Sequence, residues 1–120
     1  MSKAQLKSKS GPIEVTPAQV LEQALPKALK ASEKQAKTIG AVYVISLSGD
    51  DGGDWTVDLK KAEVRRGAAD RPDVILEMSD VDFSAMTRGK LDVGMATREG
   101  RIRISGNPEL IVTLGHLISG

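Results

Sequence analysis

Apolar residues recur at two different spacings along the chain, and these spacings separate predicted helices from predicted strands. Thr16-Pro17-Ala18-Gln19 is a capping-box sequence, and the leucines that follow at intervals of four residues predict one buried helical face. Pro26 falls inside this pattern, so we expect the helix to end or kink near Leu25. Ser32-Glu33-Lys34-Gln35 repeats the capping signature and predicts a second short helix that reaches about Thr38.

Five later segments have the alternation or the β-branched composition that is typical of strands. The first two are joined by a hairpin loop, Gly49 to Asp54, and in the last one arginines alternate with isoleucines. Alternation of this kind predicts a sheet with one buried face and one solvated face. The predicted strands are residues 41–47, residues 55–59, a short strand that holds Ala62 and Val64, residues 73–78 and residues 101–105.

Three helices are expected between and after the last strands. Ser79 is placed to cap the first, which should stop at Gly89; residues 91–99 predict the second; and Asn107-Pro108 opens the last. The last helix has a wide apolar face for its length. The apolar residues are Val81, Phe83 and Met86 on the first helix, Leu91 and Met95, expected to point inward, on the second, and Leu110, Leu114 and Leu117, with Ile111 and Ile118 beside them, on the third.

The chain has 120 residues, of which 40% are hydrophobic and 28% are charged, and this is the composition of one globular domain with its own core. It has no cysteine, which excludes disulfides, thiolate zinc sites, iron–sulfur clusters and cysteine nucleophiles. The net charge of +1 and the presence of only three aromatic residues argue against nucleic acid as a partner.

Charge is distributed unevenly along the chain. Residues 1–40 hold seven lysines and three glutamates, whereas residues 41–82 hold five basic and ten acidic side chains. This asymmetry is either an ordinary solvated surface or an N-terminal basic region that transiently contacts an anionic membrane or an acidic partner. We expect residues 1–12 to be a disordered tail and residues 13–120 to form the domain. Because no secretory signal and no bilayer-spanning apolar run is found, a cytoplasmic location is expected.

Few side chains are arranged for chemistry. Asp50, Asp51 and Asp54 of the hairpin loop lack the ligand spacing of an EF-hand, so we expect no metal. His116, the only histidine, lies away from the leucine stripe of the last helix and is expected to be exposed. No Gly-x-Ser-x-Gly elbow and no glycine-rich phosphate cradle occurs in the sequence. We therefore predict no catalytic residue and no cofactor.

The sequence leaves two interpretations open for a group of basic residues and two for the aliphatic residues. Arg98, Arg101 and Arg103, together with Arg88 and Lys90, form either the solvent face of a strand or a surface for anionic lipid headgroups. The apolar residues are almost entirely aliphatic, and they form either an ordinary packed core or the wall of a cavity for a lipid tail. Composition does not separate the core from the cavity.

Five short motifs, in this order and at these spacings, resemble the sterol carrier protein type-2 family. The motifs are Trp55 to Lys60, Gly67 to Asp70, Met78 to Phe83, Gly89 to Asp92 and Gly100 to Asn107, and the resemblance covers about residues 40–118. It implies an α+β domain in which a five-stranded, mostly antiparallel sheet is covered on one face by helices and encloses a hydrophobic tunnel. Members of this family bind fatty acids, fatty acyl-CoA, phospholipids or sterols and do no chemistry on them.

The resemblance also implies which residues line the tunnel: Trp55, Val57, Val74, Leu76, Ile102 and Ile104 on the sheet, and Phe83, Met86, Leu91, Met95, Leu110, Leu114 and Leu117 on the helices. One segment departs from the family pattern. Where the family usually has an alanine followed by two bulky apolar residues, this chain has Ala96-Thr97-Arg98-Glu99. Either the tunnel is narrower or more polar at this end, or Arg98 and Glu99 form its mouth and meet a headgroup.

These observations predict a non-enzymatic carrier that holds a fatty acyl chain, a fatty acyl-CoA, a phospholipid or a sterol-like ligand in the tunnel. Two alternatives stay open. The first is an accessory or interaction module of lipid or quinone metabolism that keeps the fold with a reduced tunnel. The second is an enzyme that uses His116 or the carboxylates. The sequence leaves the identity of the lipid and the oligomeric state undetermined.

Overall fold

The computed structural model describes residues 16–119, so the predicted tail and the first residues of the predicted domain lie outside it. A helical run comes first: α1 (Pro17–Gln19), a π-helical segment (Val20–Ala24) and α2 (Leu25–Ala31). Next are α3 (Glu33–Ile39), β1 (Val42–Ser48), β2 (Gly53–Asp58), β3 (Glu63–Arg66) and β4 (Val74–Ser79). The remaining elements are α4 (Asp80–Thr87), α5 (Val93–Arg98), β5 (Arg103–Gly106) and α6 (Glu109–Ser119). Among the residues of this range, no helix is long and apolar enough to cross a bilayer.

The five strands form one sheet in the order β3-β2-β1-β4-β5. β1 and β4 are parallel, whereas the other three neighbouring pairs are antiparallel. The apolar face of this sheet packs against leucines of the first helical run and of α6. The α+β class and the five-stranded, mostly antiparallel sheet covered by helices are therefore confirmed.

The inner face of the sheet is apolar because alternate residues of each strand point toward the helices. Tyr43, Ile45 and Leu47 of β1 lie opposite Val57, Trp55 and the start of β2, and Val74, Leu76 and Met78 continue the layer on β4. All of these named side chains belong to one buried cluster with Leu21, Leu25 and Leu29. This cluster is the core of the domain.

The outer face of the sheet is partly covered by the segment that connects β3 to β4. Thr56 is buried there; its hydroxyl donates to the carbonyl of Gly67 over 2.7 Å and accepts from the amide of Ala69 over 2.9 Å. These two bonds hold residues 67–69 on the outer face. The helices and the connection thus lie on opposite faces.

The sequence predicted that the first helix ends or kinks near Leu25; the helical run does not end there but continues to Ala31, with a π-helical segment at Val20–Ala24. Pro26 has no amide hydrogen and cannot donate to the carbonyl four residues before it. The Leu25 amide donates to the Val20 carbonyl, five residues back, so the helical run passes Pro26 by way of a π-helical segment. Glu22, which contacts Trp55 and Arg66, lies in the same segment.

The two predicted capping sequences behave differently. Thr16 forms the complete capping box with Gln19, with bonds of 3.2 and 3.0 Å. Ser32 makes no such side-chain bond. It is also the C-cap residue of α2, and its amide donates back to the carbonyls of Ala28 and Leu29. The predicted box at Ser32 is therefore wrong, although α3 itself forms and ends at Ile39.

Two predicted placements in the strands and helices also need correction. Ala62 does not lie in β3; it has a φ of 52° in the turn before that strand, where the chain reverses between two antiparallel neighbours. Met95 does not point inward but is 49% exposed, and Ala96 is buried in its place. α5 is only six residues long and begins at its Asp92 cap, which sets a helical phase one residue later than the sequence suggested.

Candidate functional site

The sheet and the helices above it enclose a layer made almost wholly of aliphatic side chains, and the predicted tunnel residues meet there. Seven of them belong to the buried core: Trp55, Val57, Val74, Leu76, Phe83, Ile102 and Leu114. Five are partly buried and pack against it: Met86, Leu91, Ile104, Leu110 and Leu117. Met95 lies outside the layer. The sequence therefore located the layer correctly, whereas its role as a tunnel stays a prediction.

The cover provided by α6 is incomplete. Leu114 is buried, but Leu110, Ile111 and Leu117 are only partly buried although they face the aliphatic layer. Val112, on the other side of the helix, is 58% exposed. α6 packs beside α2 at the edge of the layer. Apolar area at this helix is thus not fully removed from water.

Tyr43 ties α6 to the sheet. Its hydroxyl donates to the Leu110 carbonyl over 2.8 Å, while its ring is buried in the core. Burial, and secondly the negative charge of Asp73, raise the pKa of Tyr43 to about 12. The sequence analysis did not single out this residue, although alternation with Ile45 and Leu47 would have placed it on the inner face.

Two clefts on the surface are lined mainly by polar side chains. One, of about 380 Å³, lies at the carboxyl ends of β1 and β4 and is lined by serines, Glu77, Asp82, Arg101 and Arg103. The other, of about 220 Å³, lies between the start of α1 and α4. Neither cleft is lined by a predicted tunnel residue, but Leu47 and Met78, at one end of the buried layer, contribute to the wall of the first.

The predicted tunnel mouth carries an ion-pair network. Arg101 donates to both carboxylate oxygens of Asp82, over 3.2 and 2.7 Å, and also to Glu99 over 3.1 Å. These hydrogen bonds hold the pKa of Asp82 below its usual value and raise that of Arg101. Glu99 is thus occupied by a neighbouring arginine, and Arg98 is exposed on α5.

A second polar cluster lies at the opposite edge of the sheet. Glu22, in the π-helical segment, accepts a hydrogen bond from the Trp55 indole over 2.7 Å. The same carboxylate oxygen forms an ion pair with Nε of Arg66, 2.7 Å away. The Arg66 guanidinium lies 5.3 Å from the centre of the Trp55 ring. The sequence analysis missed Glu22 and Arg66, because nothing local places either residue beside the tryptophan.

The titratable side chains of the described range are not grouped for metal binding. No cluster of three or more histidine, aspartate or glutamate side chains suited to a metal ion occurs among residues 16–119. His116 is exposed on α6, as predicted.

Comparison with curated proteins gives relatives that match most of this chain but are much longer than it. Hydroxysteroid dehydrogenase-like protein 2 of Rattus norvegicus is 38% identical over 91 residues, which are 73% of this chain and 17% of that protein. The human protein of the same name is 37% identical over 91 residues, which are 22% of its length. The chain thus spans about a fifth of the length of these curated relatives.

Solved structures share the fold over most of the chain. Sterol carrier protein domain 2 of Helicoverpa armigera superposes with a TM-score of 0.69 at 26% identity and covers 93% of each chain. Sterol carrier protein-2 of Aedes aegypti, in complex with palmitate, superposes with a TM-score of 0.56 at 23% identity over 77% of this chain and 91% of that one. The model of the SCP-2 sterol transfer family matches residues 19–119, and the chain belongs to this family.

Proposed function

We propose that the chain binds one fatty acyl ligand between the inner face of the sheet and α6 and releases it unchanged. The observation that carries the proposal is the incomplete cover: Leu110, Ile111 and Leu117 face an aliphatic layer but are only partly buried. An alkyl chain would bury them further through contacts of the kind already present in the layer. Membership in the SCP-2 sterol transfer family supports a lipid as the class of ligand.

Binding of this kind is a partition of the alkyl chain out of water. Shielding is worth roughly 0.8 kcal/mol per buried methylene, so affinity should rise with chain length until the layer is filled. The loss of translational freedom and the ordering of side chains offset part of this gain. Long acyl chains would therefore be retained and short ones would not.

The layer offers no activated group for chemistry on the ligand. The Tyr43 hydroxyl already donates to the Leu110 carbonyl, and its raised pKa keeps it neutral well above physiological pH. The other members of the buried cluster are apolar. We therefore propose binding without catalysis.

Entry of the ligand requires displacement of α6. Neither cleft is lined by a residue of α6, and α6 presents one side to the layer and an exposed Val112 on the other. The hydrogen bond from Tyr43 would have to open and close again with each exchange. Movements of covering elements typically occur in microseconds to milliseconds.

The ligand of a structural neighbour suggests the first probe. Palmitate is the fatty acid in the complex of the Aedes aegypti protein, which shares the fold. The larger curated relatives are named for hydroxysteroid dehydrogenases, and the proposal concerns only the domain that this chain spans. Palmitate and its shorter homologues are therefore the compounds to titrate.

A matched pair of variants on α6 tests the location of the site. Leu110→Gln changes a side chain that faces the layer, while its backbone carbonyl can still accept from Tyr43; Val112→Gln changes one that faces solvent. We expect Leu110→Gln to weaken palmitate binding about tenfold, since burying a leucine side chain is worth about 1.5–3 kcal/mol. Val112→Gln should bind as the wild type does. Displacement of a fluorescent fatty acid from lipid-free protein measures both.

The accessory-module interpretation is the second candidate, because seven of the predicted tunnel residues are packed in the buried core. It predicts that lipid-free wild-type protein shows no saturable displacement. That result would contradict lipid binding and would leave the family fold as a scaffold for a protein partner. Equal weakening by Leu110→Gln and Val112→Gln would instead exclude the layer beneath α6 as the site.

A further inference from the structure

The edge strand β3 carries a cation on the apolar side of the sheet. In the register of β2 and β3, Val64 lies opposite Val57 and Arg66 opposite Trp55. Both partners point into the buried core, so alternation places Arg66 on the same face as Val64. Arg65 lies on the outer face, 3.7 Å from Asp58. An arginine at an inner position is a departure from the aliphatic pattern of the neighbouring strands.

Arg66 reaches from this position to the rim of the core. Its Nε lies 2.7 Å from a carboxylate oxygen of Glu22, with which it forms an ion pair, and its guanidinium lies over the Trp55 ring. The side chain is nevertheless 65% exposed. Within residues 16–119, the structure gives its two terminal nitrogens no hydrogen-bond partner. One edge of the guanidinium is thus held in place while the other faces water.

A second arginine of the same chain indicates what such a guanidinium can hold. Arg101 binds Asp82 through Nε and one terminal nitrogen, and binds Glu99 through the other. A guanidinium presents five donors in a fixed plane, so two carboxylates can share it. Arg66 has one carboxylate, that of Glu22, and room for another.

The surroundings of Arg66 also fit the start of an alkyl chain. The Trp55 ring beneath it is 1% exposed and belongs to the core. Val20 of the π-helical segment and Val64 of β3 are partly buried and pack against the same core. A charged headgroup at Arg66 would therefore lie in water, while the methylenes next to it would meet apolar side chains.

We propose that Arg66 binds the carboxylate of the fatty acyl ligand, with the ligand's first methylenes against Trp55 and its tail directed into the aliphatic layer. This proposal rests on the proposed function. It places the headgroup at the β3 edge, whereas the sequence analysis expected it at Arg98 and Glu99. Glu22 acts as a positioning residue, because it holds Nε and the indole and so orients the free edge of the guanidinium.

A purely structural role predicts different behaviour. Charged residues that point inward on edge strands protect sheets from pairing with other chains. If Arg66 serves only this purpose, its replacement changes association or stability but does not distinguish one lipid headgroup from another. A comparison of headgroups on a constant tail therefore separates the two roles.

The test uses palmitate and the saturated alcohol of the same chain length with wild-type protein, Arg66→Gln, Arg65→Gln and Arg98→Gln. We expect Arg66→Gln to weaken binding of palmitate about five- to tenfold, as a partly exposed charged hydrogen bond allows. Binding of the alcohol should be unchanged, which also shows that the variant is folded. Arg65→Gln and Arg98→Gln should bind both compounds as the wild type does.

Orientation is measured with the single tryptophan. Fatty acids brominated near the carboxyl end should quench Trp55 fluorescence more strongly than those brominated near the methyl end. Three results would contradict carboxylate binding by Arg66 without contradicting lipid binding. They are equal effects of Arg66→Gln on the acid and the alcohol, no effect of Arg66→Gln on either compound, and a selective loss of palmitate binding in Arg98→Gln. If the wild-type protein binds neither palmitate nor the alcohol, both the proposed function and the role of Arg66 are contradicted.

Discussion

Tyr43 is the only tyrosine of the chain, and its surroundings make it a reporter of the inner layer. The ring is buried and the hydroxyl is bonded to α6, so ionisation would place a negative charge among aliphatic side chains and break the link to Leu110. The ionisation of the Tyr43 hydroxyl thus reports whether α6 is packed on the aliphatic layer.

The pKa of Tyr43 predicts how stability changes in alkali. The folded-state pKa is raised to about 12, above its ordinary value of about 10. Between these values the unfolded chain releases the proton first, so the free energy of unfolding should fall as the pH rises from about 10 to about 12. Urea unfolding at several pH values, with tyrosinate absorbance followed in parallel, measures both effects.

Tyr43→Phe is the control for this titration. The variant loses the bond to Leu110 and should be about 1 kcal/mol less stable at neutral pH. Its stability should change less than that of the wild type across the alkaline interval. An identical alkaline loss in the variant would assign the effect to other groups, and a tyrosinate midpoint near 10 in folded protein would contradict the buried placement.

At the scale of the element, the two capping sequences show what local pattern decides and what it does not. Thr16 and Ser32 begin similar motifs, yet only Thr16 caps, because Ser32 is still engaged by the end of α2. The sequence predicted both helices but not that Ser32 would be the C-cap of one and the N-cap of the next. Helix existence followed from composition, whereas the cap depended on the path of the preceding segment.

Alanine substitutions at the two positions test this difference. Thr16→Ala should lower the free energy of unfolding by about 1 kcal/mol, since it removes a cap bond. Ser32→Ala should change it less, because alanine loses no cap there. Both values come from urea denaturation at neutral pH. Equal losses would show that Ser32 caps α3 in solution.

Short elements were predicted less well than long ones for a physical reason. α5 has six residues, fewer than two turns, so its sequence did not fix whether position 95 or 96 faces the core. β3 has four residues, and only two of them, Val64 and Arg66, point inward. Longer strands such as β4, with Val74, Leu76 and Met78 all buried, were placed correctly.

At the scale of the molecule, the sequence predicted the aliphatic layer but not its boundaries. Alternation in the strands identified most of the residues that meet between sheet and helices. The parallel pairing of β1 with β4 and the approach of Glu22 to Arg66 join positions far apart in the chain. No local pattern contains such information, and the polar cluster at the β3 edge was missed for this reason.

The molecule has an aliphatic layer, a helix that covers this layer incompletely and a cation at its rim. Each part has its own test, but all of them require a lipid to occupy the layer. If the layer is only a core, α6 is an ordinary terminal helix and Arg66 is an edge-strand guard. The occupancy of the layer is therefore the claim on which the account depends.

Native mass spectrometry of lipid-free protein mixed with palmitate tests that occupancy most directly. We expect a complex of one palmitate per chain that saturates at this ratio and is weakened selectively in Leu110→Gln rather than in Val112→Gln. Unliganded protein at every palmitate concentration, or a continuous series of adducts without saturation, would contradict it.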